Sequence, residues 1–159
     1  GAQRDPERRY LADRQEACRA AGIAERVRFL GERRDVRALM AAADVFVQAN
    51  VEPDAFGIAL AEAMYAGLPL VTTAMGGALE VVDAGTGLLV APRPREVSDA
   101  LRRLLMDGSR RALLGRAGVR RAALLCNPGE AMRRLAGLAA RQALGTPASD
   151  RDVMSAAGR

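Results

Sequence analysis

Short apolar runs alternate with amphipathic segments along this chain. The runs are three or four residues long and are bounded by glycine, proline or charged residues, which predicts buried strands at 27–30, 45–47, 70–72 and 88–90. In the segments between them apolar residues recur at helical spacing, as at Val36, Leu39, Met40 and Ala43. The pattern predicts helices at 6–21, 36–43, 55–66, 78–82, 96–106, 109–125 and 129–144.

This alternation of strands and helices predicts an α/β fold, with a Rossmann-like parallel sheet covered by helices on both faces. A length of 159 residues suits one domain with one sizeable core. We assign that domain to residues 1–144 and expect the tail at 145–159, rich in Gly, Pro, Ser and Asp, to be disordered. A doubly wound sheet normally has more than four strands, so its first strands are expected to lie upstream of Gly1.

Three loops follow the carboxyl ends of predicted strands, at 31–34, 48–55 and 73–77. In open parallel sheets ligands bind at this edge, so the three loops are expected to open onto one crevice. The last loop contains Gly76 and Gly77, a pair that permits a tight turn or a close approach to the backbone.

The turn Phe56-Gly57-Ile58 begins the helix predicted at 55–66. The first amides of a helix have no intrahelical partner, and the helix dipole adds about half a positive charge there. Gly57 lacks a side chain that would block a close approach, so the turn is a candidate anion site. The alternative is that Gly57 relieves packing and Asp54 is an ordinary N-cap.

Glu62 is the one carboxylate of this otherwise almost wholly apolar helix. Its apolar neighbours suggest that it is at least partly buried, so that it needs a hydrogen-bonding or ionic partner. The two hydroxyls of a nucleotide ribose would satisfy it while the phosphates rest on the helix start. A salt bridge to an arginine is the alternative.

Composition narrows the function classes. Histidine is absent, which excludes imidazole catalysis and histidine-ligated metal sites. The net charge is +5, but the arginines are spread along the chain and aromatic residues are few, so a nucleic-acid interface is not favoured. Cys18 and Cys126 are far apart and are expected to be free, buried thiols of a reducing compartment. The sequence shows no membrane span or signal peptide, which fits a cytoplasmic protein.

The stretch from Asp54 to Val71 resembles the signature of the family-4 retaining glycosyltransferases of the GT-B fold. In that signature an acidic residue and a glutamate, here Asp54 and Glu62, are separated by seven residues that include a Phe-Gly turn. Other stretches look like the family in the same order: Val27–Gly31, Ala43–Val47, Gly76-Gly77 with Glu80, Gly85–Val90 and Leu114-Gly115. The resemblance runs from about Tyr10 to Leu138 and implies the carboxy-terminal, donor-binding half of such an enzyme.

The resemblance also implies roles for individual residues. Glu62 matches the glutamate that binds the ribose of a nucleoside diphosphate sugar. The amides of Phe56, Gly57 and Ile58 match the turn that cradles the diphosphate and the sugar. Gly76 and Gly77 are assigned to the same donor site.

Two further parts of the donor have counterparts. Asp54 takes the place of a glutamate that contacts the sugar near the reacting carbon, and Glu52 is close enough in sequence to act instead. Leu30 and Gly31 match the region that lines the base. Asp54 is one methylene shorter than the family's glutamate, and the chain has no lysine for the diphosphate.

The implied reaction of the full-length protein is transfer of a hexose to an acceptor with retention of configuration, without a metal ion or other cofactor. The implied partners are the nucleotide sugar and an amino-terminal acceptor-binding domain, which would also provide any peripheral membrane contact. This fragment alone is expected to bind the donor weakly and turn over little. The alternatives are an inactive interaction or regulatory domain of a split or degenerate glycosyltransferase, and a nucleotide-sugar epimerase.

Overall fold

The computed structural model describes residues 5–53 and 57–127 together with residue 129, and for residues 5–7 it describes the backbone alone. The chain forms two compact units, Gly1–Arg34 and Asp35–Arg159. The helix predicted at 129–144 lies outside the described residues except for Gly129, and so does the tail at 145–159. The domain assigned to residues 1–144 therefore stays a prediction.

The first unit contains helix α1, Asp5–Ala20, and a short 3₁₀ helix, Ala24–Arg26. The strand predicted at 27–30 is wrong. Val27 has extended dihedral angles (φ −113°, ψ 125°), but a strand needs a hydrogen-bonded neighbour, and the described part of this unit contains no strand. Phe29 and Leu30 are accordingly nearly half exposed, at 42% and 49%.

The second unit is built on three parallel strands in the order β1-β2-β3: Phe46–Gln48, Leu70–Thr73 and Gly87–Val90. Phe46 pairs with Leu70, and Thr73 pairs with Val90. All four residues of β2 are buried, as expected for a central parallel strand. The predicted parallel sheet is confirmed, with three strands among the described residues instead of four.

Five helices accompany these strands in the described part of the second unit: α2 (Val36–Ala41), α3 (Ile58–Tyr65), α4 (Ala78–Val81), α5 (Pro94–Met106) and α6 (Gly108–Leu125). They confirm the helices predicted here, with small shifts at their ends. Gly67 follows the end of α3, and Pro94 lies in the first turn of α5. The side chain of Asp107 caps α6 by accepting a hydrogen bond from the Arg110 amide at 2.8 Å.

Alternate residues of β2 face two separate hydrophobic clusters. Leu70 packs in a cluster with Leu60 and Met64 of α3, whereas Val71 packs in a cluster with Leu104 of α5. Full burial of side chains of this size stabilises the fold by about 1.5–3 kcal/mol each. The prediction that helices cover both faces of the sheet is therefore confirmed.

Neither cysteine is buried, so that part of the sequence prediction is wrong. Both thiols are free, but Cys18 is half-buried and Cys126 is exposed. Cys126 follows the last residue of α6, where the chain leaves the core. Among the described residues no helix is both long and apolar enough to cross a membrane.

Helix α6 approaches the carboxyl end of α3 at unusually short range because small residues face it. A Cβ added at Gly115 would overlap the carbonyl oxygen of Gly67, and one at Gly118 would lie 3.5 Å from Cγ of Met64. Backbone therefore packs against backbone where α6 meets the end of α3.

Replacing Gly115 by alanine is expected to destabilise the protein. Alanine favours a helix by about 1 kcal/mol over glycine. The overlap with Gly67 has to be relieved by moving α6 away from α3, so we expect a net loss of about 1–3 kcal/mol in the free energy of unfolding. Urea denaturation followed by circular dichroism measures it.

The control is Gly108→Ala in the same helix. A Cβ there has its nearest neighbour, a terminal nitrogen of Arg111, at 3.7 Å. This variant should be as stable as the unmodified protein or slightly more so. A Gly115→Ala protein of undiminished stability would contradict the close packing of α6 on α3.

Candidate functional site

The carboxyl ends of β1 and β2 place two of the predicted loops at one edge of the sheet. Gln48, the last residue of β1, pairs with Thr72, next to the end of β2. Because neighbouring strands lie about 4.8 Å apart, the loops that begin at residues 49 and 74 leave the sheet side by side. This arrangement of the two loops is as predicted. The third loop, 31–34, belongs to the first unit, and its place at the site stays a prediction.

Two buried threonines of β2 hold the end of β1 and the loop that follows it. The Thr72 hydroxyl donates to the carbonyl of Gln48 at 2.9 Å, and the Thr73 hydroxyl donates to the carbonyl of Asn50 at 2.8 Å. Both threonines are 2% exposed. The loop backbone is thus held before it reaches Glu52. Sequence reasoning missed this role, although two adjacent hydroxyls at the end of an apolar strand were a usable signal.

Gly57 begins α3 in a conformation that other residues adopt at a cost. Its φ is +67°, it is buried, and a Cβ would lie 3.0 Å from Cδ1 of Leu60. Its carbonyl accepts hydrogen bonds from the amides of Leu60 and Ala61. The amides that precede these two in the first turn have no hydrogen-bond acceptor within the helix. They lie at the positive end of the helix dipole. Asp54 and Phe56 lie outside the described residues.

Glu62 is exposed, so the prediction that it is at least partly buried is wrong. The buried side of α3 is formed by Leu60, Ala63 and Met64. Glu62 lies on the other side of the helix with Ile58, which is 64% exposed, four residues before it. Apolar neighbours in the sequence did not imply burial, because this helix has apolar residues on both sides.

The exposed side of α3 therefore presents a carboxylate between apolar side chains. Ile58 lies one turn before Glu62, and Tyr65, 51% exposed, lies almost one turn after it. Within the described part of the chain no arginine forms an ion pair with Glu62, so the salt-bridge alternative finds no support there. Glu62 is about 6 Å along the helix axis from Ile58 and can accept hydrogen bonds from a ligand.

The glycine pair lies between β2 and α4, at the carboxyl edge of the sheet. Gly76 is exposed with φ +53°, while Gly77 is buried and immediately precedes α4. Helix α3 packs on α4, and Leu60 and Ala78, from their first turns, belong to the same hydrophobic cluster. The amino ends of both helices therefore lie at the same edge of the sheet.

The remaining predicted site residues that the structure describes lie in two other segments. Glu52 is exposed in the loop after β1, next to Val51, which is 82% exposed. In the first unit Leu30 is about half exposed, and Gly31 has φ +64° with open space where a side chain would be. The structure thus places the start of α3 and the loop with Gly76 and Gly77 at the same edge of the sheet, with Glu62 in the second turn of α3.

A groove lies on the α5 side of the same sheet edge. Its volume is about 710 Å³, and its lining is mostly apolar, with Val97, Leu101 and Leu105 from α5 and Asn50 and Thr73 from the loop side. None of the donor-site residues that the structure describes lines it. We therefore place the candidate site on the α3 side, where Glu62 is exposed.

Residues 2–107 match the model of a protein family described as Glycosyl transferases group 1. The chain is 39% identical over 112 residues to D-inositol 3-phosphate glycosyltransferase of Corynebacterium diphtheriae, covering 68% of this chain and 26% of that protein. It is 35% identical over 108 residues to the GDP-mannose-dependent monoacylated alpha-(1-6)-phosphatidylinositol monomannoside mannosyltransferase of Corynebacterium glutamicum, covering 62% and 28%. The chain thus spans about a quarter of the length of these relatives.

Among solved structures, the fold is similar to Anabaena Alr3699/HepE, determined in complex with UDP. The TM-score is 0.80 at 27% sequence identity, covering 86% of this chain and 38% of that one. Both comparisons confirm the resemblance to the GT-B glycosyltransferases that the motifs indicated.

Replacing Thr73 by valine tests the tie between β2 and the loop after β1. Valine keeps the shape but removes the donor, so the Asn50 carbonyl loses its 2.8 Å hydrogen bond. We expect a loss of about 1 kcal/mol in the free energy of unfolding. Thr73→Ser keeps the hydroxyl and serves as the control. Equal stability of the valine variant and the unmodified protein in urea denaturation would show that the bond contributes nothing.

Proposed function

Because this chain belongs to the Glycosyl transferases group 1 family, we propose that it binds the nucleoside diphosphate sugar that such an enzyme uses as its donor. The observation that carries the proposal is the exposed carboxylate of Glu62 on a helix that begins at the carboxyl edge of the sheet. The UDP complex of Alr3699/HepE and the GDP-mannose dependence in the name of the Corynebacterium glutamicum relative support this ligand class.

Glu62 would bind the ribose. A carboxylate accepts hydrogen bonds at both oxygens, and the two adjacent ribose hydroxyls offer two donors. Ile58 and Tyr65 flank Glu62 on the exposed side of α3. When a ligand covers them, water is excluded from around the carboxylate, and its hydrogen bonds become stronger.

The start of α3 would bind the diphosphate. The amides of Phe56, Gly57 and Ile58 would donate to phosphate oxygens, with the helix dipole adding to the attraction. As the bond between sugar and diphosphate breaks, negative charge grows on the leaving phosphate. Donors already fixed in place stabilise that charge without reorganising, so this step requires no histidine.

The rest of the donor would meet the loops around this centre. The backbone at Gly76 and Gly77 would approach the phosphates from the neighbouring loop, and Asp54 or Glu52 would contact the sugar. Leu30 and Gly31 would lie near the base. A hexose as the transferred group, retention of configuration, independence of metal and an amino-terminal acceptor-binding domain complete the proposal.

The role of Glu62 is tested with a nucleotide that lacks the ribose hydroxyls. By isothermal titration the unmodified chain should bind 2′,3′-dideoxyuridine diphosphate about tenfold more weakly than UDP. Glu62→Gln should bind UDP more weakly and discriminate less between the two nucleotides, because glutamine keeps one acceptor oxygen and replaces the other with a donor. GDP and its dideoxy form replace them if the chain prefers guanine.

Glu96→Gln is the matched control, since Glu96 is another exposed helical glutamate and lies in the first turn of α5. It should leave the affinity for UDP unchanged. A Glu62→Gln protein that still discriminates fully against the dideoxy nucleotide would show that Glu62 does not bind the ribose. Failure of the unmodified chain to bind any nucleoside diphosphate or its sugar would favour the interaction-domain alternative.

A second pair of variants decides which acidic residue contacts the sugar. The measured quantity is the ratio of affinities for UDP-glucose and UDP, or for GDP-mannose and GDP. Asp54→Asn and Glu52→Gln should each leave the diphosphate affinity unchanged. The variant at the contacting residue should lower the nucleotide-sugar affinity about tenfold. An unchanged ratio in both variants would remove both residues from the sugar site.

A further inference from the structure

Arg121 of α6 joins three groups at the far end of α4. Its Nε donates to the carbonyl of Val81 at 2.6 Å, and one terminal nitrogen donates to the carbonyl of Glu80 at 2.7 Å. The other terminal nitrogen lies 2.9 Å from a carboxylate oxygen of Asp83, and the Arg121 side chain is 27% exposed. The planar guanidinium has several donors in fixed directions and can reach all three acceptors at once. The ammonium group of a lysine cannot reproduce this arrangement.

This contact lies where α4 most needs one. The last carbonyls of a helix have no intrahelical donor and carry the negative end of the dipole. Helix α4 is four residues long, too short to be stable alone, so its orientation depends on what holds it. Arg121 supplies both donors and positive charge at that end.

Asp83, the ionic partner of Arg121, is itself held by hydrogen bonds. The second carboxylate oxygen of Asp83 accepts a hydrogen bond from the Gly85 amide at 2.9 Å. The Asp83 carbonyl accepts one from the hydroxyl of Thr86, which is 2% exposed. A displacement of α4 would therefore have to break several contacts of Arg121 at once.

Helix α6 thus contacts the carboxyl ends of both α3 and α4. Gly115 and Gly118 bring it against the end of α3, and Arg121 brings it to the end of α4. The candidate site consists of the amino end of α3 and the loop with Gly76 and Gly77. Because α4 is about 6 Å long, its carboxyl end is only one turn away from Gly77.

We infer that Arg121 is a positioning residue for the donor's phosphates: it sets where the loop with Gly76 and Gly77 lies relative to the amino end of α3. The inference rests on the proposed function. Arg121 itself touches no ligand and acts through α4. Its ion pair with Asp83 is partly exposed and alone would contribute little, so the two carbonyl contacts carry the effect.

The experiment compares two ligands that differ in their phosphates. UDP carries both the ribose and the diphosphate, whereas uridine keeps the ribose and lacks the phosphates. In the 159-residue chain Arg121→Gln should weaken UDP binding about tenfold and change uridine binding less than twofold, measured by calorimetry and by NMR titration. Loss of folded protein alone would weaken both ligands by the same factor.

Arg120→Gln is the matched control, because Arg120 is the adjacent residue of α6, is exposed and has the same charge. It should leave both affinities unchanged. Arg121→Lys keeps the charge but loses the planar set of donors, so it should lower the affinity for UDP by an intermediate factor. If Arg121→Gln does not fold, Arg121→Lys carries the same comparison.

The outcomes separate the inference from its premise. UDP binding within twofold of the unmodified chain in a folded Arg121→Gln protein would overturn the inference alone. Equal losses for UDP and uridine would do the same, since they indicate a general stabilising role. Failure of the unmodified chain to bind UDP or GDP would overturn the proposed function and, with it, this inference.

Discussion

Parallel pairing of β1 with β2 is the constraint on which the rest of the site depends. In a parallel pair both strands end at the same edge, so the loops that follow the two strands begin side by side. The chain must then return across the sheet through a helix, which places α3 and α4 next to each other with their amino ends at that edge. Gly57, Gly76 and Gly77 lie at the same edge of the sheet because of this topology, although about 20 residues separate Gly57 from the glycine pair in sequence.

The sequence predicted the elements that depend on local pattern. Buried apolar runs such as 70–72 have a strand as their natural solution, and the helical stripes of α2, α5 and α6 are equally plain. The segment 27–30 has the same local pattern but is no strand, since pairing depends on a partner elsewhere in the chain. Glu62 was misjudged for a related reason. The pattern of α3 shows apolar residues on both sides, and only tertiary packing decides which side is covered.

The contacts that organise the site join residues far apart in the chain. The hydroxyls of Thr72 and Thr73 reach carbonyls 24 and 23 residues earlier, and Arg121 reaches Val81 across 40 residues. No spacing rule links such pairs, because each depends on the positions of two elements at once. The motifs therefore indicated which residues form the candidate site, but not the groups that support them. Asp54 and Phe56 remain predictions from the motif.

The threonine ties divide the loop after β1 into two parts with different freedom to evolve. The carbonyls of Gln48, just before the loop, and of Asn50 within it are bound to β2, whereas the side chains of Val51, Glu52 and Pro53 are exposed. Mutations at the latter three positions change the surface offered to a ligand at little cost to the scaffold. Substitutions in this part of the loop can therefore change the surface while the sheet beneath it keeps its contacts.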